Sequence, residues 1–326
     1  MNKITLLTDG TIYLAFCLYC TQLFISKHIQ IENYDTSRSY SPKDTVCYVS
    51  YRNSRPLWAQ QLAESGFKII VDHLWDGDVD TLSQVNNHVM ILRNPNWLWY
   101  HSCAEWTHHG YQHYRPQYNY QHMFFMPMNR QEWHRDHMVN SLSSVLDQAL
   151  WSYIAQGKTL PDDVSTTGIM SWRAYFNPDW YNTTRFSVVA ESYMRTNAYI
   201  RNPADSHENY KTEVSEKIFK PMMGQHPFVV FGSAHTLQYL HREGFESFEN
   251  LFDETYDDIL EDQDRHRGAT QSVLKAVDDW NHNRIGIDTL TQQKLAHNRN
   301  RLFDIDLVQQ RVNQEIVQEI LEFVER

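Results

Sequence analysis

Short, almost wholly apolar runs recur along the chain, and most stop at a charged residue or a glycine. Val46-Cys47-Tyr48-Val49, Phe67-Lys68-Ile69-Ile70-Val71 and His88-Val89-Met90-Ile91-Leu92 lie in the first third. Met123-Phe124-Phe125-Met126, Phe186-Ser187-Val188-Val189-Ala190 and Phe228-Val229-Val230-Phe231 follow. Between the first two runs, Leu57, Trp58 and Leu62 sit at helical spacing and the segment ends near Gly66. Strand, helix, strand at this length predicts a parallel sheet with helices on its faces. A second α/β unit starts near His122, with a helix expected through Val139, Leu142, Val145, Leu146 and Leu150. From about residue 256 the pattern turns helical. Ile305, Val308, Val312, Ile316, Ile320 and Phe323 share one face of a terminal helix.

The chain of 326 residues has room for two cores. The expected division is an α/β domain over 1–120, a second over 121–285, and helices over 286–326 that pack back on both. A net charge of −11 disfavours nucleic acid and anionic membrane as partners. The four cysteines, Cys17, Cys20, Cys47 and Cys103, do not make a disulfide framework in a chain this long, which points to a reducing, cytoplasmic compartment. Cys17-Leu18-Tyr19-Cys20 is formally a CxxC pair, but its apolar flanks read as packing. Ile12 to Ile25 is apolar yet short of the roughly 18 residues of a membrane span, and Gln22 interrupts it.

Residues 94–120 are aromatic, His-rich and short of aliphatics, with Trp97, Trp99, Tyr100 and Trp106 among them. The segment reads as a large loop or a set of short helices, serving either as a binding surface or as a satellite cluster of packed aromatics. Acidic spacing at Asp76-Gly77-Asp78 and Asp78-Val79-Asp80 suits a metal–nucleotide site or a helix cap. His134 with His137, and His108-His109 with His113, have zinc-like spacing, but seventeen histidines make such clusters expected by chance. No metal site is assigned.

Ser215-Glu216-Lys217 opens a helix directly ahead of the Phe228–Phe231 run. Spacing alone offers surface ion pairs, Glu213 with Lys217 and Glu216 with Lys220. Position offers more. In open parallel sheets ligands sit beyond the carboxyl ends of the strands. A helix N-terminus there presents free N–H groups and a positive dipole end to a phosphate. Pro221 falls inside this helix and is expected to kink or shorten it.

Three segments together carry a family resemblance: Phe186–Glu191, then Glu213-Val214-Ser215-Glu216-Lys217, then His226-Pro227-Phe228-Val229-Val230-Phe231-Gly232. With Met128-Asn129-Arg130 through His134-Arg135, they resemble the donor domain of the α1,3-fucosyltransferase family and its virus-like and bacterial relatives. The resemblance covers about 120–260. Glu191-Ser192 replaces that family's acidic-Asn pair, Ser215 its Thr, and the loop before the motif is longer. The fold implied is α/β, two Rossmann-like domains facing a cleft (GT-B type) with a helical C-terminal tail.

The activity implied is transfer of a sugar, with inversion, from a nucleotide-sugar donor (GDP-fucose in that family) to a glycan or other hydroxyl acceptor. Glu216 would hold the donor ribose, with Ser215, Lys217 and Lys220 on the phosphate edge. Arg135 would meet the pyrophosphate, and Glu191 would lie near the sugar or nucleotide. No cofactor is required, and a divalent cation is not expected. The base that takes the acceptor proton is sought among Asp72, Asp76 and Glu105. The alternatives are a non-catalytic relative that binds carbohydrate or serves a structural role, and another nucleotide-using α/β enzyme.

Overall fold

The computed structural model describes residues 4–8, 29–33, 39, 45–50, 62, 64–72, 89–92, 96–161, 175–191, 194 and 214–325. The expected CxxC pair, the Ile12–Ile25 stretch, and Asp76 with its acidic neighbours lie outside these residues. The fold is mixed α/β, with two small parallel sheets and a helical C-terminal region. The chain divides into two compact units, Met1–Glu105 with Ile305–Arg326, and Trp106–Asp304.

The first unit holds β1 (Ile4–Thr8), β2 (Ile29–Asn33), β3 (Thr45–Ser50), β4 (Lys68–Asp72) and β5 (Val89–Leu92), all parallel, in the order β2-β1-β3-β4-β5. Sequence patterning found the last three; β1 and β2 are additional. Helix α1 (Trp97–His108) follows. Of the loop or short helices expected for the aromatic segment, residues 97–108 form a helix of twelve residues. Trp99, Tyr100 and Cys103 are buried within this unit, and Trp106 is buried too, so rings do the packing that aliphatics do elsewhere.

The second unit opens with β6 (His122–Met128) and α2 (Trp133–Ser141). The helix expected to continue through Leu150 stops at Ser141, and Ala149–Tyr153 forms β7 instead. A turn follows Ser141, and β6 offers β7 an open edge, so tertiary pairing overrides the apparent helical period. Next come α3 (Pro178–Asn182), β8 (Thr184–Ala190), α4 (Glu216–Gly224), β9 (Phe228–Phe231) and α5 (Thr236–Arg242). The order β7-β6-β8-β9 is again all parallel. Both faces of β8 are covered, as parallel sheets require. Phe186 stacks on Trp280 of α6 (Asp262–Asn281), at 5.1 Å and 9°. Ser187, on the opposite face, meets the His226 ring at 2.8 Å.

Helices α7 (Thr289–Leu302), α8 (Ile305–Val312) and α9 (Gln318–Glu325) complete the chain, with a wider π-type turn at Asn313–Val317. The apolar stripe lands as patterned: Val308, Val312, Ile316 and Ile320 are fully buried, while Ile305 is exposed. This last stretch belongs to the first unit, where Tyr100 donates to Glu315 at 2.7 Å and Lys68 to the Phe323 carbonyl at 3.3 Å. Among the described residues no helix is long and apolar enough to cross a membrane.

Candidate functional site

In the second sheet the chain runs from β6 outward to β7, then returns across to β8 on the other side. Connections leaving β6 and β8 therefore diverge and open a crevice at their carboxyl ends, the switch point where α/β sheets bind ligands. Glu191 is the first residue past β8. Its N–H donates to the Phe231 carbonyl at 3.0 Å, the last rung of the ladder to β9. Its carbonyl accepts from Arg135 Nη2 at 3.1 Å and from His134 Nε2 at 3.1 Å, both on α2. A carbonyl only accepts, so His134 carries its proton on Nε2. Burial, with the Arg135 charge beside it, holds the His134 pKa down to about 3, and the ring is neutral.

The Glu191 carboxylate reaches the start of α4. Ser215 N–H donates to Oε1 at 3.1 Å, and the Ser215 hydroxyl donates to Oε2. Ser215 is the N-cap: its Oγ accepts from the Lys217 N–H at 3.3 Å, as capping serines do. Lys217 Nζ donates to the same Oγ at 3.2 Å and lies 4.0 Å from Glu191 Oε2 and 3.6 Å from Glu216 Oε1. One ammonium thus faces two carboxylates and a hydroxyl. The Lys217 side chain is 25% exposed, whereas those of Glu191 and Glu216 are at 1% and 2%. Burial raises the Glu191 pKa, with Lys217 and the Ser215 bonds opposing it.

Glu216 is not the surface ion-pair partner that helical spacing offered for it with Lys220: it is buried, and its Oε1 has no hydrogen-bond partner among the described residues. The Lys217 ammonium at 3.6 Å is its ion-pair neighbour and offsets part of the cost of burying the carboxylate, but supplies no hydrogen bond to that oxygen. Arg135 repeats the pattern. Nη1 donates to the Arg130 carbonyl at 3.0 Å and Nη2 to Glu191, while the buried Nε has no hydrogen-bond partner among the described residues. Gly232 closes the crevice behind Glu191. A Cβ there would sit 3.1 Å from Thr236 Oγ1, 3.2 Å from Val230 Cγ1 and 3.6 Å from Glu191 Cγ. Pro221 does not shorten α4, which runs on to Gly224.

So Arg135, Glu191, Ser215, Glu216 and Lys217 are brought together within the second unit. Lys220 lies one turn further along α4, half-buried. The proposed bases fall elsewhere. Asp72 ends β4, in register with Ser50 and Leu92. Glu105 lies on α1, 3.1 Å from His101 Nε2. Asp76 is outside the described residues. The zinc-like pair His134 and His137 packs with Trp133 and His266 as an aromatic cluster. Among the described residues no group of three or more His, Cys, Asp or Glu could hold a metal ion.

Sequence reasoning missed Arg265, which is 1% exposed. Its Nε donates to the Gly232 carbonyl at 2.9 Å, Nη1 to the Ile259 and Leu260 carbonyls, and Nη2 to Asp262 and the Met194 carbonyl. It sits in Asp262-Gln263-Asp264-Arg265-His266-Arg267, which reads as a solvated helix start. No periodic signal marks Arg265 as the buried member.

No protein-family model matches the chain, and no curated protein matches it. Among solved structures it has a weak likeness to one titled as the crystal structure of an α1,3-fucosyltransferase with GDP-fucose: 11% identity, TM-score 0.38, covering 92% of this chain and 90% of that one. A likeness this loose assigns no residue a role.

Proposed function

We propose that the chain is a GT-B-type glycosyltransferase that takes a nucleotide-sugar donor at the carboxyl edge of the second sheet. One observation carries the reading: a buried carboxylate, Glu216, with an oxygen that has no hydrogen-bond partner, at a helix N-terminus beside a part-exposed lysine and a strand-end glutamate. Ribose hydroxyls are donors, and Glu216 is the acceptor placed to receive them. The donor diphosphate lies toward the N-terminus of α4, where the helix dipole and Lys217 favour negative charge. Arg135 is chiefly a positioning residue: its two terminal nitrogens hold Arg130 and Glu191, leaving Nε–H and its charge for the ligand.

In the transfer, an acceptor hydroxyl attacks the anomeric carbon and the bond from that carbon to the diphosphate oxygen breaks. A base takes the hydroxyl proton, and the diphosphate leaves with the electron pair. Lys217 and the helix N-terminus stabilise the charge that grows on that oxygen. Asp72, Asp76 and Glu105 are the proposed bases, and a glycan hydroxyl the proposed acceptor. GDP-fucose is the donor that the sequence resemblance favours.

A thermal-shift panel of GDP, UDP, CDP and ADP tests the reading. One nucleoside diphosphate is expected to raise the melting temperature, and Lys217→Ala to weaken its binding about tenfold, the worth of one charge-assisted hydrogen bond. If none of the four stabilises the protein, the donor site is refuted.

A further inference from the structure

A second site lies at the other end of α4. Gln112, Arg115, Gln225, Arg299, Asn300 and Phe303 line a cavity of about 260 Å³. Nine helical residues separate it from Ser215, roughly 13 Å at 1.5 Å per residue. Arg299 is buried and fixed. Nη1 donates to the Met223 carbonyl at 2.7 Å, and Nη2 to the Tyr111 and Gln112 carbonyls at 3.1 and 2.9 Å. The Tyr114 and Phe303 rings flank its guanidinium at 5.8 and 5.7 Å. Among the described residues its Nε makes no hydrogen bond. Arg115 is exposed and uses only Nη1, on the Tyr114 and Gln112 carbonyls at 2.9 and 3.4 Å.

Neither guanidinium meets a carboxylate among the described residues. The exposed Arg267 and Arg284, by contrast, are both paired with aspartates. Two like charges facing one concave space repel each other. Burial and the Arg115 charge push the Arg299 pKa down to about 10. The Gln225 and Asn300 amides add donors that no described residue occupies. Gln225 is held at the rim by its left-handed conformation (φ 52°) and by Tyr118, which donates to its carbonyl at 2.6 Å. We infer that this cavity is an anion site, in which Arg115, Arg299 and the neighbouring amides bind a small oxyanion, a phosphate or carboxylate group on a compact ligand.

Calorimetric titration of inorganic phosphate and of citrate into the Lys217→Ala protein tests this, because the candidate donor edge then lacks its lysine. At least one anion is expected to bind at low salt. Phosphate alone points to a phosphate-bearing ligand, and citrate alone to a carboxylate. Arg115→Glu, which removes no buried group, is expected to weaken binding at least about tenfold with an unchanged ligand-free melting temperature. Should that variant not fold, Asn300→Asp reads the same loss. Binding of neither anion, or undiminished binding in the charge-altering variant, overturns the proposal.

Discussion

Arg135 and Arg265 are both buried at the carboxyl edge of the second sheet, yet they are built differently. Arg265 directs all three guanidinium nitrogens at fixed partners: four backbone carbonyls and Asp262. It ties the ends of β8 and β9 to the start of α6. Among the described residues Arg135 holds two carbonyls and its Nε makes no hydrogen bond, in the same neighbourhood where Glu216 Oε1 faces Lys217 at 3.6 Å without a hydrogen bond. A saturated buried charge is explained by the fold it holds. An incompletely satisfied pair is not explained by the fold in the same way, and the proposed donor site would supply its missing partners.

Removing each arginine separates the two roles. Arg265→Ala strips donors from several buried carbonyls and is expected to cost about 3–5 kcal/mol, measured by denaturant unfolding. Lysine is not expected to restore it, since one ammonium cannot reproduce the fork. Arg135→Ala removes two such bonds and should cost about 1–3 kcal/mol, while weakening nucleotide binding more than Arg265→Lys does. Equal losses of stability would erase the distinction.

Acid sharpens the comparison on the Arg135 side. His134, which holds the Glu191 carbonyl, is kept down to about 3, and His266, bonded to the His134 carbonyl at 3.0 Å, to about 4. Both bind fewer protons folded than unfolded once pH falls below the ordinary histidine value of about 6.5. Their contribution to stability is therefore complete above that pH. It is lost as pH falls, by about 1.4 kcal/mol per unit for each group until its folded pKa is reached. His134→Gln is expected to flatten the slope of melting temperature against pH between 6.5 and 5. An unchanged slope would place the protonation elsewhere.

How much of this was legible follows the periodicity. The strands β3, β4, β5, β6, β8 and β9 announce themselves because strands of parallel sheets read as near-continuous apolar runs. Ser215 is readable as a cap by chemistry and position. β7 was not, because Leu146 and Leu150 continue a helical spacing that only the open edge of β6 overrides. Helix α1 was obscured because it is buried on all sides from Leu98 to Ala104, polar His101 and Ser102 included, so no amphipathic period marks it. Glu216 reads as half of an exposed i,i+4 pair, and its burial is fixed by what packs around α4. Arg265 is hidden in a charged run for the same reason: burial of a single polar side chain leaves no period.

Glu216→Gln is expected to have the smallest effect on the fold and a large one on the site. Glu216→Gln relieves the burial of a charge but also ends its 3.6 Å pairing with the part-exposed Lys217, so stability should stay within about 1 kcal/mol of the parent. The most direct measurement is therefore calorimetric titration of the stabilising nucleoside diphosphate into the parent and Glu216→Gln proteins, alongside their melting curves. The expected result is a melting temperature close to the parent's with affinity reduced about tenfold or more. A lower melting temperature with undiminished affinity would show Glu216 to be structural and would contradict the assignment.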